Sequence, residues 1–293
     1  MFSLAALRYR SVLASQGGPI SSIEAGEVSV AGRRLFQANA RLSPSLVPNR
    51  RRLQIYGDAD GTGTHASPMV ARHMAVSEAL ERWAFYATVR SEHRADYGFE
   101  IDESSNGMAA FPGLSRAPAR RAAALEAVER FCLLNWWEGK LDGEQRQTDW
   151  PGVSAIAFES PLGGVACILY ARSEWGFYNY GHAAAESFGR ACEKALLELT
   201  RHEWVMRRRM LSGAPGTPAD RLERRAWFFA GPEGHELFLK RIEARSTQLP
   251  PTPEIICDVE ISGPWSIYTT VWRVAFRPPS PRFLHDDETY FFW

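Results

Sequence analysis

Two short runs of this sequence repeat one pattern. Glu78-Ala79-Leu80-Glu81-Arg82-Trp83 and Glu126-Ala127-Val128-Glu129-Arg130-Phe131 each set two glutamates three residues apart, then an arginine, then an aromatic residue. Both runs lie in text of helical periodicity, so each pair of carboxylates projects from one helix face. Like charges so placed repel, and these pairs are in mid-helix, away from the first turn where the helix dipole favours acids. A fold that carries both must give the acids a cation or a set of donors. A third run, Glu198-Leu199-Thr200-Arg201-His202-Glu203-Trp204, is a looser version. The separations among the three are unequal, which argues against a tandem solenoid and for a local device used more than once.

The surrounding text places these runs. Ser67 is a plausible N-cap with Pro68 at the first helical position, and the spacing predicts a helix from there to about Val89. Asn106-Gly107 marks a turn, and a second helix runs from near Ser115 and Pro118 to about Trp137. Gly181 precedes a third helix, from about Ala185 to Arg209. Residues 153–173 read as a β-hairpin, and 254–261 and 265–276 as two further strands. Residues 1–55 read as short strands and turns, and Gly57 to Gly63 as a glycine-rich turn. Residues 212–221 form a flexible connection, and Leu249 to Pro253 a stiff one. Strands and helices mix without regular alternation, which predicts an α+β class, and nothing forces a domain boundary within 1–293.

Charge and composition narrow the function. Lys plus Arg equals Asp plus Glu at 34 each, so there is no global pull toward nucleic acid or a membrane surface. No apolar run is long enough to span a bilayer. Cys132, Cys167, Cys192 and Cys257 are far apart, form no CxxC pair and read as buried thiols of a cytoplasmic protein. The seven histidines lack metal-ligand spacing, although His65 and His182 each stand just before a motif helix. Arg50, Arg51 and Arg52 form a basic cluster that reads as a surface loop.

Three chemistries use clustered carboxylates. A glycosidase needs two acids with divergent pKa values, a poor match to two similar helical pairs. A di-iron bundle needs ExxH on two helices, and the sequence has none. Magnesium with ATP needs a few carboxylates and cations for the phosphates, which this set of Glu and Arg fits best.

The ordered set of motifs resembles the YcaO-domain family: Gly61-Thr62-Gly63, Glu78 to Arg82, Asn106-Gly107, Glu126 to Arg130, then a third helix from Gly181 to Glu198. The match covers residues 57–204, about half the chain. The resemblance implies a YcaO-like α+β fold, with mixed sheets and three motif-bearing helices around an ATP site. It implies ATP- and Mg2+-dependent activation of backbone amides in a ribosomally made precursor peptide. The leading product is an azoline, formed by cyclodehydration of Cys, Ser or Thr; thioamide or amidine formation and a non-catalytic peptide-binding subunit are the alternatives. Carried over by position, Glu78, Glu81, Glu126, Glu129 and Glu198 are the implied magnesium ligands, and Gly61, Gly63, Arg82, Asn106, Arg130 and Lys194 the implied ATP contacts. The chain departs from the family pattern at Thr62, Met74 and Arg201, which stand where Lys, Ser and Gln are common. Its ending, Pro278 to Trp293, is aromatic and differs from the usual proline-rich tail. A separate leader-binding or E1-like partner is expected to deliver the peptide, because the chain reads as too short for its own recognition domain, and the apolar helix faces are compatible with a homodimer.

Overall fold

The computed structural model describes residues 3–47, 53–57, 59–213, 216–246, 249, 251–277 and 280–293. Expectations for Arg50, Arg51, Arg52, Pro278 and Pro279 lie outside them. In chain order the elements are α1 (Ala5–Arg8), β1 (Ile20–Val30), β2 (Arg33–Leu42), β3 (Gly61–His65), α2 (Pro68–Thr88), β4 (Met108–Phe111) and α3 (Ala117–Trp137). There follow β5 (Glu144–Arg146), β6 (Val153–Glu159), β7 (Val165–Arg172), β8 (Tyr178–Ala185), α4 (Phe188–Leu211), α5 (Arg221–Ala230), α6 (Pro232–Glu243), β9 (Ile255–Glu260) and β10 (Thr270–Phe276). The class is α+β, with every sheet antiparallel.

The chain forms two compact units. The first comprises Met1–Arg50, Asp58–Ala127 and Glu254–Arg277; the second comprises Arg51–Gly57, Val128–Pro253 and Pro278–Trp293. Helix α3 therefore starts in one unit and ends in the other.

In the first unit, α2 is set by its start and its small residues. The Ser67 hydroxyl accepts the Val70 N–H at 3.5 Å and Pro68 opens the helix. Ala71, Ala75, Val76, Ala79, Leu80 and Ala84 then recur at helical spacing and are buried. Members of this stripe from Ala71 to Leu80 pack with Ala38, Ala40 and Leu42 of β2 in one core cluster. Strands β1, β2 and β3 make one sheet, and β4, β10 and β9 another with β10 in the middle. A second cluster, including Ala84, Phe99, Met108, Trp265 and Val271, packs this second sheet against the C-terminal part of α2.

The second unit holds the sheet β5-β6-β7-β8, followed by α4. The hairpin read at 153–173 is β6 and β7, paired from Val153↔Ala171 to Glu159↔Val165. Thus β1-β2-β3-α2 and β6-β7-β8-α4 follow one plan, a three-stranded antiparallel meander and then a long helix.

Three local expectations need correction. The segment read as a glycine-rich turn becomes strand at Gly61, because Ala38 and Ala40 of β2 pair with Gly63 and Gly61. The first 55 residues contain two long strands of 11 and 10 residues, β1 and β2, paired along their length. Residues 264–267 form a 3-10 turn, so the final strand starts only at Thr270.

Candidate functional site

The first unit gathers Glu78, Glu81, Arg82 and Glu126. Helix α2 carries the first three on adjacent turns, and all four are half-buried. Glu78 Oε2 accepts the Thr62 N–H at 3.0 Å, while the Thr62 hydroxyl donates to Asn39 Oδ1 at 3.1 Å. Burial, then the charges of Glu126 and Glu78, push the Glu81 carboxyl well above the usual carboxylate range, against Arg82 and an N–H from Ala110. Arg82 is the cation of the group: burial opposes its charge, but Glu78, Glu81 and Glu126 outweigh that and hold it protonated. Its Nη1 also donates to Ser105 Oγ at 3.2 Å, next to Asn106. The acids thus crowd one another electrostatically, the arrangement that a divalent cation relieves.

Glycines let this cluster form. A Cβ on Gly61 would lie 2.1 Å from the Ala75 carbonyl oxygen, and one on Gly63 2.1 Å from that of Ala71. Both glycines therefore serve the close approach of β3 to α2, which brings the Thr62 N–H to Glu78.

The segment before Asn106 is fixed by Arg273 of β10, which sequence reading did not single out. Arg273 is fully buried, lies over the Phe99 ring at 3.9 Å, and donates to the carbonyls of Ser104 (2.7 Å) and Asp102 (3.0 Å). Only the folded pairing of β10 with β4 puts it there, so no local sequence signal could have found it.

In the second unit the remaining motif residues are engaged differently. Glu129 Oε1 accepts from His182 Nδ1 at 2.7 Å, and its Oε2 accepts the Ala184 N–H at 3.1 Å. Burial works against charge on His182, but the Glu129 hydrogen bond and the charges of Glu129 and Glu198 prevail, and its pKa is raised. Phe292 stacks on the His182 ring. The Lys194 ammonium donates to the Ala184 carbonyl at 3.2 Å. Arg130 is buried, with its guanidinium 4.4 Å from the Phe283 ring centroid. Glu198 and Arg201 form an ion pair at 2.6 Å. His202 is buried beside Asn179, and burial and the charge of His182 push its pKa down to about 3.

The aromatic ending is part of this unit. Phe291 lies among Trp136, Trp137, Tyr180, Phe229 and Phe238. Arg225 of α5, fully buried, donates to the carbonyls of Asp287 (2.9 Å), His285 (2.9 Å) and Phe292 (3.0 Å). The Tyr-Phe-Phe-Trp text foretells burial of the ending; the arginine that holds it gives no such signal.

Among the described residues, no three His, Cys, Asp or Glu side chains form a ready-made metal cage. Magnesium is commonly held by one or two carboxylates, with waters and phosphate oxygens completing its shell, so the Glu78, Glu81 and Glu126 donor set fits that ion.

No family model matches this sequence, and no curated protein does either. Solved structures do. A chain of the E. coli microcin synthetase McbBCD complex with pro-MccB17 bound is similar at TM-score 0.54 and 11% identity, over 86% of each chain. A chain of the E. coli microcin synthetase McbBCD complex is similar at TM-score 0.53 and 12% identity, over 87% of this chain and 86% of that one. In broad outline, this chain shares the fold of chains found in that synthetase.

Proposed function

We propose that this protein is a YcaO-type enzyme that uses ATP and Mg2+ to activate a backbone amide of a ribosomally made peptide. The observation that carries the proposal is the crowding of Glu78, Glu81 and Glu126, which leaves Glu81 hard to ionise until a cation is added. Bound ATP with Mg2+ supplies the phosphoryl group that turns an amide oxygen into a leaving group. The side chains of the first unit hold and screen: Glu78, Glu81 and Glu126 hold the cation, and Arg82 and Asn106 contact the nucleotide. Glu129 and Glu198, the remaining ligands the resemblance implies, each also meet a protein cation, His182 or Arg201. The likeness to chains of a synthetase complex solved with pro-MccB17 bound supports a peptide substrate and separate partner proteins. Cyclodehydration to an azoline is the leading reaction.

Calorimetry with ATP and Mg2+ tests this reading. Wild type should bind the nucleotide, and Glu81→Gln should weaken binding at least about tenfold, a loss of roughly 1.4 kcal/mol. Absence of nucleotide binding by the wild type would sink it. With a precursor peptide and partner supplied, mass spectrometry distinguishes the products: loss of water for an azoline, exchange of oxygen for sulfur for a thioamide.

The pairing of Glu198 with Arg201 favours one second reading, a subunit that binds peptide without turnover. On that reading peptide binds but ATP is not consumed.

A further inference from the structure

The four cysteines are buried and all carry free thiols. In the second unit, strand register brings two of them to one level. Gly181 of β8 lies against α4: a Cβ there would meet the Ala195 carbonyl oxygen at 2.1 Å and the Leu199 nitrogen at 2.3 Å. Side chains two apart on a strand share a face, so Ala183 also faces α4, and so does Cys167, its partner on β7. Helix α4 packs on both strands. In the first unit Gly63 stands level with Ala71, one turn before the Ala75 met by Gly61. By the same step Ala183 stands level with the turn before Ala195, and Cys192 is in that turn.

The two thiols meet there in a hydrogen bond, with Cys167 keeping its proton. That contact, then burial, pushes the Cys167 thiol up. The same contact, against burial and the charge of Asp149, holds the Cys192 thiol below its ordinary value. Cys132 and Cys257 are engaged differently: burial pushes the Cys132 thiol up to about 12, and the Cys257 thiol donates to the Arg273 carbonyl at 3.7 Å. A thiol is a weak donor, so the contact of Cys167 with Cys192 adds little as a hydrogen bond. What it prepares is a bond between two sulfurs far apart in sequence.

We propose that Cys167 and Cys192 form a redox site, a thiol pair that a peroxide converts to a disulfide tying β7 to α4 and that an added dithiol restores. Cys192 is 3% exposed and Cys167 0%, so the oxidant meets Cys192 first. The Cys192 sulfur gives up its proton and attacks one peroxide oxygen; the O–O bond breaks, leaving a sulfenic acid, and the departing hydroxide takes that proton as water. The Cys167 sulfur then attacks the Cys192 sulfur, the S–O bond breaks, and hydroxide leaves with the Cys167 proton as a second water. Each sulfur loses one electron and the peroxide gains both. The disulfide closes residues 167–192 into one ring that holds all of β8 and the first turn of α4. This site is independent of the magnesium reading.

Hydrogen peroxide treatment of the folded full chain, then alkylation with iodoacetamide in denaturant and peptide mass spectrometry, tests the proposal. Two of the four thiols should escape alkylation. The intact mass should fall by two hydrogens, one cross-linked peptide pair should join Cys167 to Cys192, and dithiothreitol should restore every thiol. Closure of the ring should also move unfolding to higher urea. Cys192→Ser should abolish the cross-link, and in Cys167→Ser the oxidation should stop at a Cys192 sulfenic acid that dimedone traps. Four alkylated thiols after peroxide would overturn the proposal. So would linkage through Cys132 or Cys257, linkage that forms only in urea, or over-oxidation of Cys192 in the wild type without linkage. If a serine variant does not fold, judged by circular dichroism, the wild-type measurements decide.

Discussion

Glu81 is the residue whose chemistry reaches furthest. Its folded pKa is raised, chiefly by burial and by Glu126 and Glu78, so the folded chain resists ionisation that the unfolded chain accepts. Stability without metal therefore falls as pH rises from the ordinary carboxylate value of 4.5 through the folded value. Glu81→Gln removes that slope and is expected to raise the stability of the metal-free protein at pH 7 by about 1 kcal/mol, while abolishing its stabilisation by Mg2+. Urea denaturation across pH, with and without Mg2+, reads both effects. His182 has a dependence of the same sign at a higher pH. Its folded pKa lies above 6.5, so its contribution is complete below pH 6.5 and is lost as pH rises through the folded value. Glu129→Gln should lower the His182 pKa, measured by NMR of the ring protons, and should cost more stability at pH 6 than at pH 9. His202, held down to about 3, makes a contribution that is complete above pH 6.5 and lost as pH falls toward 3.

At the scale of elements, the helices were the legible part. The cap at Ser67, the motif runs and the apolar spacing gave α2 and α3 to within a few residues. The hairpin of β6 and β7 was legible for the same reason, since Gly163 and Gly164 separate two apolar runs. The glycine-rich text misled about the backbone: it reads as a turn but is strand from Gly61, and the alanines of β2 and α2 that face it are distant in sequence. The doubled meander-and-helix plan is not legible in the sequence. Its marks there are Gly61 and Gly181, Ser67 and Ser187, Ala71 and Ala191, Ala75 and Ala195, and Glu78 and Glu198, too sparse to stand out without the strands beside them. These contacts predict that Gly61→Ala and Gly181→Ala each destabilise the protein by about 3 kcal/mol, since the new methyl meets helix backbone that cannot move aside. Equal losses by urea denaturation would reflect the equivalence of the two contacts; a neutral effect at either would contradict the close approach.

For the whole molecule, the sequence could not convey how distant segments combine. Arg225 secures the ending through three carbonyls, and Glu223 on the same helix accepts the N–H groups of Gln54, Ile55 and Tyr56. These contacts span 60 residues or more in one case and more than 160 in the other, beyond any local pattern. Arg225→Met should leave those three carbonyls short of donors in the interior, at a cost of about 2–4 kcal/mol, and expose residues 285–293 to limited proteolysis. The segment 53–57 should stay protected in that variant, because Glu223 rather than Arg225 holds it.

The middle position of β10 has a consequence for how the chain is made. Strand β4 pairs only with β10 in its sheet, and β9 does the same, so that sheet has no pairs until residues 270–276 leave the ribosome. By then residues 128–253, the greater part of the second unit, are already synthesised. The first unit is begun earliest and finished late, and through the interval its unpaired β4 and the apolar residues beneath it await a strand encoded more than 150 residues downstream.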